Sequence, residues 1–348
     1  MTQTPDHPIL SVRGLKTHFN LREGLIKAVD GVDLDVRRGK TLCIVGESGS
    51  GKSMMARSVL QIVTPPGHVV EGSMAFSRDG KSSVDIAKLD PAGKDIRAIR
   101  GRDIAMIFQE PMNSLSPVHT VGDQLVEKIL LHHKIGMKAA IERTVEALDR
   151  VGIPDPRRRL SSYPFELSGG MRQRVMIAMA LGCRPAMLIA DEPTTALDVT
   201  TQANILELIR TLQDETDMAV MFITHDLGVV AEIADEVAVM YLGQVVERGS
   251  VEDIFYAPQH PYTLALLASI PKLGARHAVG KRLKAIEGMV PHPLDRPTGC
   301  PFNTRCPEAV AGLCDRTEPA LSELRPGHFG ACHMRDPQHL KTINPVEA

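Results

Sequence analysis

The stretch GESGSGKS, Gly46 to Ser53, limits the possible folds of this chain more than any other feature. It matches the pattern G-x-x-x-x-G-K-S, follows the compact apolar run TLCIVG and precedes a segment with a helical pattern. In such a strand, loop and helix unit, glycines let backbone N–H groups turn around phosphate oxygens. The lysine reaches the β and γ phosphates, and the serine hydroxyl binds Mg²⁺. A flexible Gly/Ser turn is the alternative, and the position between a strand and a helix argues against it. We therefore predict a nucleotide site that contains Gly46, Ser48, Gly49, Ser50, Gly51, Lys52 and Ser53.

Further apolar runs predict a layered α/β core. The runs IAMIF, AMLIAD and AVMFIT alternate with helical patterns such as TQANILELIRTLQ, as buried parallel strands do. Between Val121 and Gly152 apolar residues recur at helical spacing, which predicts a helical subdomain at about residues 110–165. Beyond residue 257 lie twelve of the 24 prolines and four of the six cysteines. We therefore predict one domain over residues 1–256 and a C-terminal extension over residues 257–348.

Composition and charge exclude several classes of protein. The chain has 40 basic and 42 acidic residues and a pI near 6.7, which gives no electrostatic footprint for nucleic acid. No apolar run approaches the roughly 20 residues of a membrane-spanning helix, and the start MTQTPDHPILS lacks the features of a signal peptide. We expect a cytoplasmic chain whose six cysteines are thiols or metal ligands rather than disulfides.

Polar residues that follow the predicted strands suggest how a bound nucleotide would react. Asp191 and Glu192 end the run LIADE, where the first carboxylate can hold the Mg²⁺ shell and the second can polarise an attacking water. His225 follows FIT and could hydrogen-bond the γ-phosphate, while Gln109 follows IAMIF and could reach the metal or the water. The alternative for each is a polar residue that merely ends a strand.

A second glycine stretch raises a separate question. In ELSGGMRQR, Ser168, Gly169 and Gly170 stand directly before an apolar helical run, a pattern typical of an anion site at a helix N-terminus. The chain already has a phosphate loop, so this second site needs another phosphate.

The motifs GESGSGKS, IFQEP, LSGGM, LIADEPTTALD and ITHD, in this order, resemble the ATP-binding subunit of ABC transporters over about residues 9–255. The resemblance implies an α/β P-loop NTPase core of the ABC type with a helical subdomain and antiparallel β elements. It also implies ATP and Mg²⁺ as ligands and a head-to-tail dimer around two ATP molecules. In that dimer Ser168, Gly169 and Gly170 would contact the ATP of the partner subunit.

The same resemblance assigns roles to single residues. Lys52 and Ser53 would bind phosphate and Mg²⁺, and Asp191 and Gln109 would complete the metal shell. Glu192 would be the general base. The other roles are Gln109 in the Q-loop, His225 as the switch histidine, Asp198 in the loop that touches the partner, and Phe19 stacked on adenine. For Phe19 an ordinary core position is an equal alternative. Met171 stands where the family pattern has glutamine, and we expect this departure to be tolerated because Ser168 and backbone amides bind the phosphate.

The later stretches GQVVERGSVEDIF, HPYTLALLASIP and GCPFNTRCP look like the ATPases of oligopeptide and dipeptide importers. Importers of nickel, glutathione or antimicrobial peptides are alternatives within that branch. The resemblance implies two membrane permease subunits and, indirectly, an extracytoplasmic binding protein. It also implies a second ATPase subunit, for which we favour a different chain over a second copy of this one. The chain would then lie on the cytoplasmic face of the inner membrane. An ABC ATPase that acts on ribosomes or DNA, or a regulatory protein with idle ATPase motifs, are alternatives of other classes.

The last four cysteines form a separate candidate site. Cys300, Cys306, Cys314 and Cys332 are separated by five, seven and seventeen residues, without the tight C-x₂-C pairs of most zinc modules. Because some members of the resembled branch carry a [4Fe–4S] cluster on a similar set, we rank the cluster before a Zn²⁺ site or reduced core cysteines. These four have no role in the ATPase chemistry, so we expect Cys306→Ser to leave the nucleotide site intact. Cys43 and Cys183 are expected to be small buried residues.

Overall fold

The computed structural model describes residues 7–109, 115–195, 198–269 and 286–336. The chain forms two compact units, each assembled from separate stretches. Unit 1 comprises Met1–Ser11, Asp35–Thr41 and Met74–Ile223, and unit 2 comprises Val12–Leu34, Leu42–Ser73 and Thr224–Ala348. Residues 110–114 of the predicted helical subdomain and residues 196–197 of the TALD stretch lie outside the described residues. The domain boundary near residue 257 stays a prediction.

Strands and helices alternate along much of the chain. The strands are β1 (Leu10–Leu21), β2 (Gly24–Val36), β3 (Thr41–Val45), β4 (Gly67–Phe76), β5 (Val84–Asp85), β6 (Ile104–Ile107), β7 (Met187–Asp191), β8 (Ala219–Ile223), β9 (Glu236–Tyr241), β10 (Gln244–Ser250), β11 (Ser322–Arg325) and β12 (His328–Gly330). The helices are α1 (Lys52–Val59), α2 (Lys94–Ile99), α3 (Val121–His132), α4 (Met137–Arg150), α5 (Pro156–Arg159), α6 (Gly169–Leu181), α7 (Val199–Thr216), α8 (Leu227–Ile233), α9 (Val251–Tyr256) and α10 (Pro261–Ala268). The apolar runs identified in the sequence are β3, β6, β7 and β8, so these predictions are confirmed.

The core of unit 1 is a parallel sheet in which β7 lies between β6 and β8. Ala190 of β7 stands opposite Ile107 of β6 and Phe222 of β8. Every residue of β7 and β8 is buried, which explains why these strands are apolar without alternation up to the final Asp191 of β7. The carboxyl end of β7 therefore places Asp191 at one edge of the sheet.

The predicted helical subdomain contains α3 and α4. Thr120 caps α3 in a capping box with Asp123, which fixes where the helix begins. The two helices pack through Val126, Ile129 and Ala140. The helical spacing seen in the sequence therefore marks one apolar face on each helix, and the prediction is confirmed for the described part of this segment.

Unit 2 contains a mixed sheet in the order β11-β12-β10-β9-β3. Strand β3 is parallel to β9, whereas the pairs β9 with β10, β10 with β12 and β11 with β12 are antiparallel. In a second sheet the order is β2-β1-β4. The predicted antiparallel elements are thus present. The C-terminal segment, through β11 and β12, joins the same sheet as the strand that leads into GESGSGKS.

A buried carboxylate joins three parts of unit 2. Glu247 of β10 has no exposed surface, and it accepts hydrogen bonds from the backbone N–H of Gln259 (2.6 Å) and of His260 (2.9 Å). His328 Nε2 of β12 lies 2.7 Å from the Glu247 carboxylate. Because a buried charge is tolerated only when it is paired and hydrogen-bonded, this residue fixes the start of α10 and strand β12 against β10.

Among the described residues, no helix combines the length and the apolar character needed to cross a bilayer.

Candidate active site

The GESGSGKS loop connects β3 to α1 in unit 2, and close backbone packing holds its shape. Gly46, Gly49 and Gly51 have φ angles of 151°, 80° and 99°, which residues with a side chain rarely adopt. A Cβ on Gly46 would overlap the carbonyl oxygen of Met240, and one on Gly51 would overlap that of Ala28. The backbone angles therefore favour glycine at all three positions, and the close approach of neighbouring strands also requires it at Gly46 and Gly51.

Lys52, the first residue of α1, is held against the backbone of this loop. Its ammonium group donates to the carbonyl oxygens of Gly46 (2.7 Å) and Glu47 (3.0 Å), and only 6% of the residue is exposed. Ser53 follows one position later on the same helix. The structure thus places a positive charge and a hydroxyl at the helix start, an arrangement suited to phosphate oxygens and to Mg²⁺.

His225 lies in unit 2 near the same end of β3. The backbone N–H of Thr224 donates to Ile44 of β3 (3.3 Å), one residue before that strand ends. After His225, Asp226 caps α8 and accepts a hydrogen bond from Gly228 N (2.8 Å). The turn is therefore fixed on both sides of the histidine, whose side chain is exposed.

In unit 1 the structure brings Gln109 and Glu192 together. Asp191 ends β7 and is 1% exposed, and Glu192 follows it with a positive φ of 48°. Gln109 Nε2 donates to Glu192 Oε2 (3.2 Å), and Thr195 Oγ1 donates to the same oxygen (3.0 Å). A residue other than glycine at positive φ costs free energy and is enriched at functional sites. Glu192 is thus held in a fixed orientation by its backbone and by two side chains.

Ser168 begins α6 as predicted. Its side-chain oxygen accepts a hydrogen bond from Met171 N (3.3 Å), which is the pattern of a helix N-cap. The donor is the backbone of Met171, so this contact does not depend on the side chain that departs from the family pattern. Ser168 and Gly169 are exposed, so the start of α6 is open at the surface of unit 1.

Asp198 caps the neighbouring helix α7. Its carboxylate accepts hydrogen bonds from Thr201 N (3.0 Å) and Thr201 Oγ1 (2.7 Å), and these bonds lower the pKa of Asp198. The methyl group of Thr201 would lie 3.4 Å from a Cβ on Gly170. The structure therefore places Asp198 and the glycine stretch of α6 in one surface region of unit 1.

Phe19 lies on β1 in unit 2 and is half-buried. Its ring covers Gly67 so closely that a Cβ on that glycine would overlap it. One side of the ring is thus covered by the chain. Stacking of Phe19 on adenine stays a prediction.

The four C-terminal cysteines line one small cavity in unit 2, together with His260 and Phe302. Burial raises the pKa of Cys300 to about 12, that of Cys306 to about 11, and also the pKa of Cys332. In the described part of the chain no cysteine forms a disulfide, and no group of three or more His, Cys, Asp or Glu residues is arranged to hold a single metal ion. Cys43 and Cys183 are buried, as expected.

Comparison with known proteins identifies the family. A family model described as ABC transporter matches residues 29–195, and one described as oligopeptide/dipeptide transporter, C-terminal region, matches residues 246–314. The dipeptide transport ATP-binding protein DppD of Haemophilus influenzae is 49% identical over 341 residues, which cover 97% of this chain and 98% of DppD. DppD of Bacillus subtilis is 48% identical over 329 residues, which cover 94% and 95% of the two chains. The chain belongs to the ABC transporter ATPase family.

Solved structures of the family have the same fold. The dimeric bacterial ABC transporter cassette MJ0796 is 26% identical, with a TM-score of 0.61 over 70% of this chain and 98% of its own. A post-hydrolysis state of MJ0796 bound to ADP and Pi matches equally well. CbiO1 from Clostridium perfringens is 28% identical, with a TM-score of 0.60 over 72% and 92% of the two chains. The resemblance drawn from the motifs is confirmed, as is the fold class of an ABC-type P-loop ATPase.

Sequence reasoning missed several contacts around the motifs of this ABC ATPase. Thr195 was not singled out as a partner of Glu192. Gln173 of α6 is fully buried and donates to the carbonyl oxygen of Pro193, directly after Glu192. Arg305 pairs with the carboxylate of Glu47 inside the phosphate loop. The sequence signal for Arg305 is weak, since it is one of many basic residues and its partner is 258 positions away.

Proposed function

We propose that this chain is the ATP-hydrolysing motor subunit of an importer for dipeptides or oligopeptides. The observation that carries the proposal is identity of 48–49% to dipeptide transport ATP-binding proteins over more than nine tenths of both chains. The match of residues 246–314 to the oligopeptide/dipeptide transporter C-terminal region supports the same branch. Importers of nickel, glutathione or antimicrobial peptides are the alternatives within it.

ATP would bind through its phosphates to the GESGSGKS loop. Lys52 provides the positive charge that binds the β and γ phosphates. The glycines let backbone N–H groups of the loop turn toward the phosphates, and these groups donate hydrogen bonds. The Ser53 hydroxyl and the Asp191 carboxylate are oxygen donors of the kind that Mg²⁺ prefers, and Gln109 would complete the shell. When bound, Mg²⁺ neutralises charge on the transferred phosphoryl group.

Glu192 would act as the general base. Its carboxylate accepts a proton from the attacking water, while Gln109 and Thr195 fix the direction in which the carboxylate points. His225 would contact the γ-phosphate.

The glycine stretch of α6 would serve the ATP of a partner subunit. Among the described residues outside its own helix, a Cβ on Gly169 would meet no atom within 4 Å. A Cβ on Gly170 would meet only Thr201, at ordinary contact distance. Packing within this chain therefore does not require glycine at either position. Close approach of another molecule, such as the phosphate of a nucleotide held by a partner, gives a reason for it.

Membrane permease subunits would dock on the helical subdomain. Leu131 of α3 and Met137 of α4 are 75% and 59% exposed, beside a groove that Val126, Leu130 and Ile141 also line. Exposed apolar groups that share a groove are typical of interaction surfaces. With two permeases and a second ATPase subunit, the chain would work at the cytoplasmic face of the inner membrane.

Cys300, Cys306, Cys314 and Cys332 would hold a [4Fe–4S] cluster. Four thiols around one cavity provide the donors that such a cluster needs. In a Cys₄ zinc site the bonds of about 2.3 Å bring the sulfurs close together. A Zn²⁺ site on the same four cysteines is the alternative.

The ATPase mechanism is tested by Glu192→Gln. The variant should bind ATP with wild-type affinity and lose most of its hydrolysis, because glutamine keeps the shape of the side chain but cannot accept the proton. Lys52→Ala should instead weaken nucleotide binding itself. Hydrolysis by Glu192→Gln at a near wild-type rate would show that another group is the base.

The peptide assignment is tested separately, by uptake of labelled dipeptide, nickel or glutathione into cells that carry the wild-type chain or the Glu192→Gln variant with its permeases. Peptide uptake that depends on Glu192 is the expected result. If nickel uptake alone depends on Glu192, the nickel alternative replaces the peptide assignment.

A further inference from the structure

The phosphate loop contains a carboxylate that is paired with an arginine from far along the chain. Arg305 Nη1 donates to Glu47 Oε2 (2.7 Å), and Arg305 Nη2 donates to Glu47 Oε1 (3.1 Å). The side chain of Arg305 is only 3% exposed. Such two-pronged pairs between arginine and a carboxylate are the strong and geometrically specific class of ion pair.

The backbone of the same residue is also held from outside the loop. The Glu47 N–H donates to the hydroxyl of Tyr262 (2.8 Å), which is a fully buried residue of α10. The Glu47 N–H therefore points toward Tyr262 and not toward a ligand in the loop. Arg305 Nη1 reaches the hydroxyl of Tyr241 (3.3 Å), whose ring packs against that of Tyr262 at 4.7 Å.

Arg305 belongs to the cysteine segment, the described residues 286–336. It directly precedes Cys306, and its Nε donates to the carbonyl oxygen of Glu287 (3.1 Å). Phe302, between Cys300 and Cys306, packs edge-on against Tyr241 at 5.3 Å. The Nε of Arg305 is thus bound within the cysteine segment, and its Nη1 and Nη2 are bound by Glu47. The cysteine segment is therefore in direct contact with the phosphate loop.

We propose that Arg305 is a positioning residue for the nucleotide site, so that the cysteine segment sets the affinity of the phosphate loop for nucleotide. Without Arg305, the Glu47 carboxylate would be an unpaired negative charge beside the phosphates and within reach of Lys52, which already donates to the carbonyl of Glu47. Arg305 neutralises this charge and fixes the carboxylate on the outer side of the loop. The inference rests on the nucleotide site proposed above and does not depend on which metal the cysteines hold.

The test measures the Kd of the full-length chain for ATP with Mg²⁺, together with the KM and kcat of the assembled transporter. For Arg305→Gln we expect Kd and KM to rise about tenfold with little change in kcat, the size typical of losing a charge-assisted hydrogen bond. Glu47→Gln removes the charge that needs neutralising. The double variant should therefore bind no more weakly than Arg305→Gln alone, and Arg305→Lys should lie between Arg305→Gln and the wild type.

The matched control is Arg296→Gln. Arg296, in the same segment, pairs with Asp30 of β2 (2.8 Å), and none of the contacts described joins it to Glu47 or Lys52. Its variant should bind ATP like the wild type. Wild-type affinity of Arg305→Gln, equal losses in Arg305→Gln and Arg296→Gln, or additive losses in the double variant would each overturn the assignment. If the wild type itself binds no ATP, the proposed function fails instead.

Discussion

At the scale of single residues, the glycines of this chain differ in what requires them. Gly46 and Gly51 have positive φ and lie against carbonyl oxygens of neighbouring strands. Gly169 is in the first turn of α6, and a Cβ there would meet no atom within 4 Å among the described residues outside its own helix. Gly46 and Gly51 are needed to form the loop. Packing among the described residues would allow Gly169 to be substituted.

We therefore predict that Gly169→Ala folds normally and loses turnover. Alanine has a higher helix propensity than glycine, so thermal stability should stay the same or rise slightly. ATP binding by the isolated subunit should be unchanged, while ATPase activity of the assembled transporter should fall more than about tenfold, since the methyl group occupies space meant for the partner's nucleotide. Thermal melts, nucleotide titration and steady-state ATPase assays measure the three quantities.

Gly46→Ala is the contrasting variant. Its Cβ would overlap the carbonyl oxygen of Met240, so nucleotide binding by the isolated subunit should be lost along with turnover. Full ATPase activity of Gly169→Ala in the transporter would mean that α6 does not approach a partner's phosphate.

At the scale of elements, Glu247 joins β10, the start of α10 and β12 in unit 2. Burial lowers the pKa of the adjacent His260 to about 4, so at neutral pH this ring is uncharged and its Nδ1 accepts the hydrogen bond from Tyr262 N (3.1 Å) that caps α10. The position of α10 also depends on Glu247, which accepts from the backbone N–H of Gln259 and His260 at the start of this helix.

We predict that Glu247→Gln destabilises the protein by about 2 to 4 kcal/mol. The glutamine NH₂ group would face N–H groups whose hydrogen bonds the carboxylate now accepts, and it cannot accept them. Chemical denaturation measures the free energy of unfolding. Glu323→Gln is the matched control, since this exposed carboxylate on β11 accepts only from Gly327 N (2.9 Å) in the contacts described, and its loss should cost less than about 0.5 kcal/mol. Equal effects of the two variants would contradict the role of Glu247.

The elements that the sequence predicted are those with a strong local pattern. Strands β3, β7 and β8 are short, fully buried and continuously apolar, and α3 and α4 repeat apolar residues at helical spacing. Strands β11 and β12 were missed because they are four and three residues long, lie among prolines and include polar residues such as Glu323 and His328. Their pairing with β10 is a tertiary effect that no local pattern carries.

At the scale of the whole molecule, the cysteine segment and the phosphate loop both belong to unit 2. Most candidate residues of the nucleotide site were named from the sequence because they end or follow a strand or begin a helix, whereas Phe19 lies within β1. The ion pair of Glu47 with Arg305 was not readable, because it joins residues 258 positions apart. Pairing over such a distance is set by the fold and not by neighbouring residues.

We predict that anaerobically purified protein is brown and contains about four iron atoms per chain. Cys306→Ser should bleach it. Since Arg305 directly precedes Cys306 and holds Glu47, we also expect weaker ATP binding in this variant, in contrast with the expectation from sequence alone. Iron analysis and absorption spectra measure the first effect and nucleotide titration the second. Stoichiometric zinc without iron would replace the cluster by a zinc site.

The distance in sequence between Glu47 and Arg305 also orders events during synthesis. Ribosomes add about 5 to 20 residues per second, so the loop leaves the ribosome roughly 10 to 50 s before the arginine that pairs with it. Other late partners of the loop include Gly243, whose N–H donates to Ser50 O (2.9 Å), and Tyr262. A nascent chain therefore carries a complete phosphate motif without the residues that brace it, and its native nucleotide site is finished only when nearly the whole polypeptide has been translated.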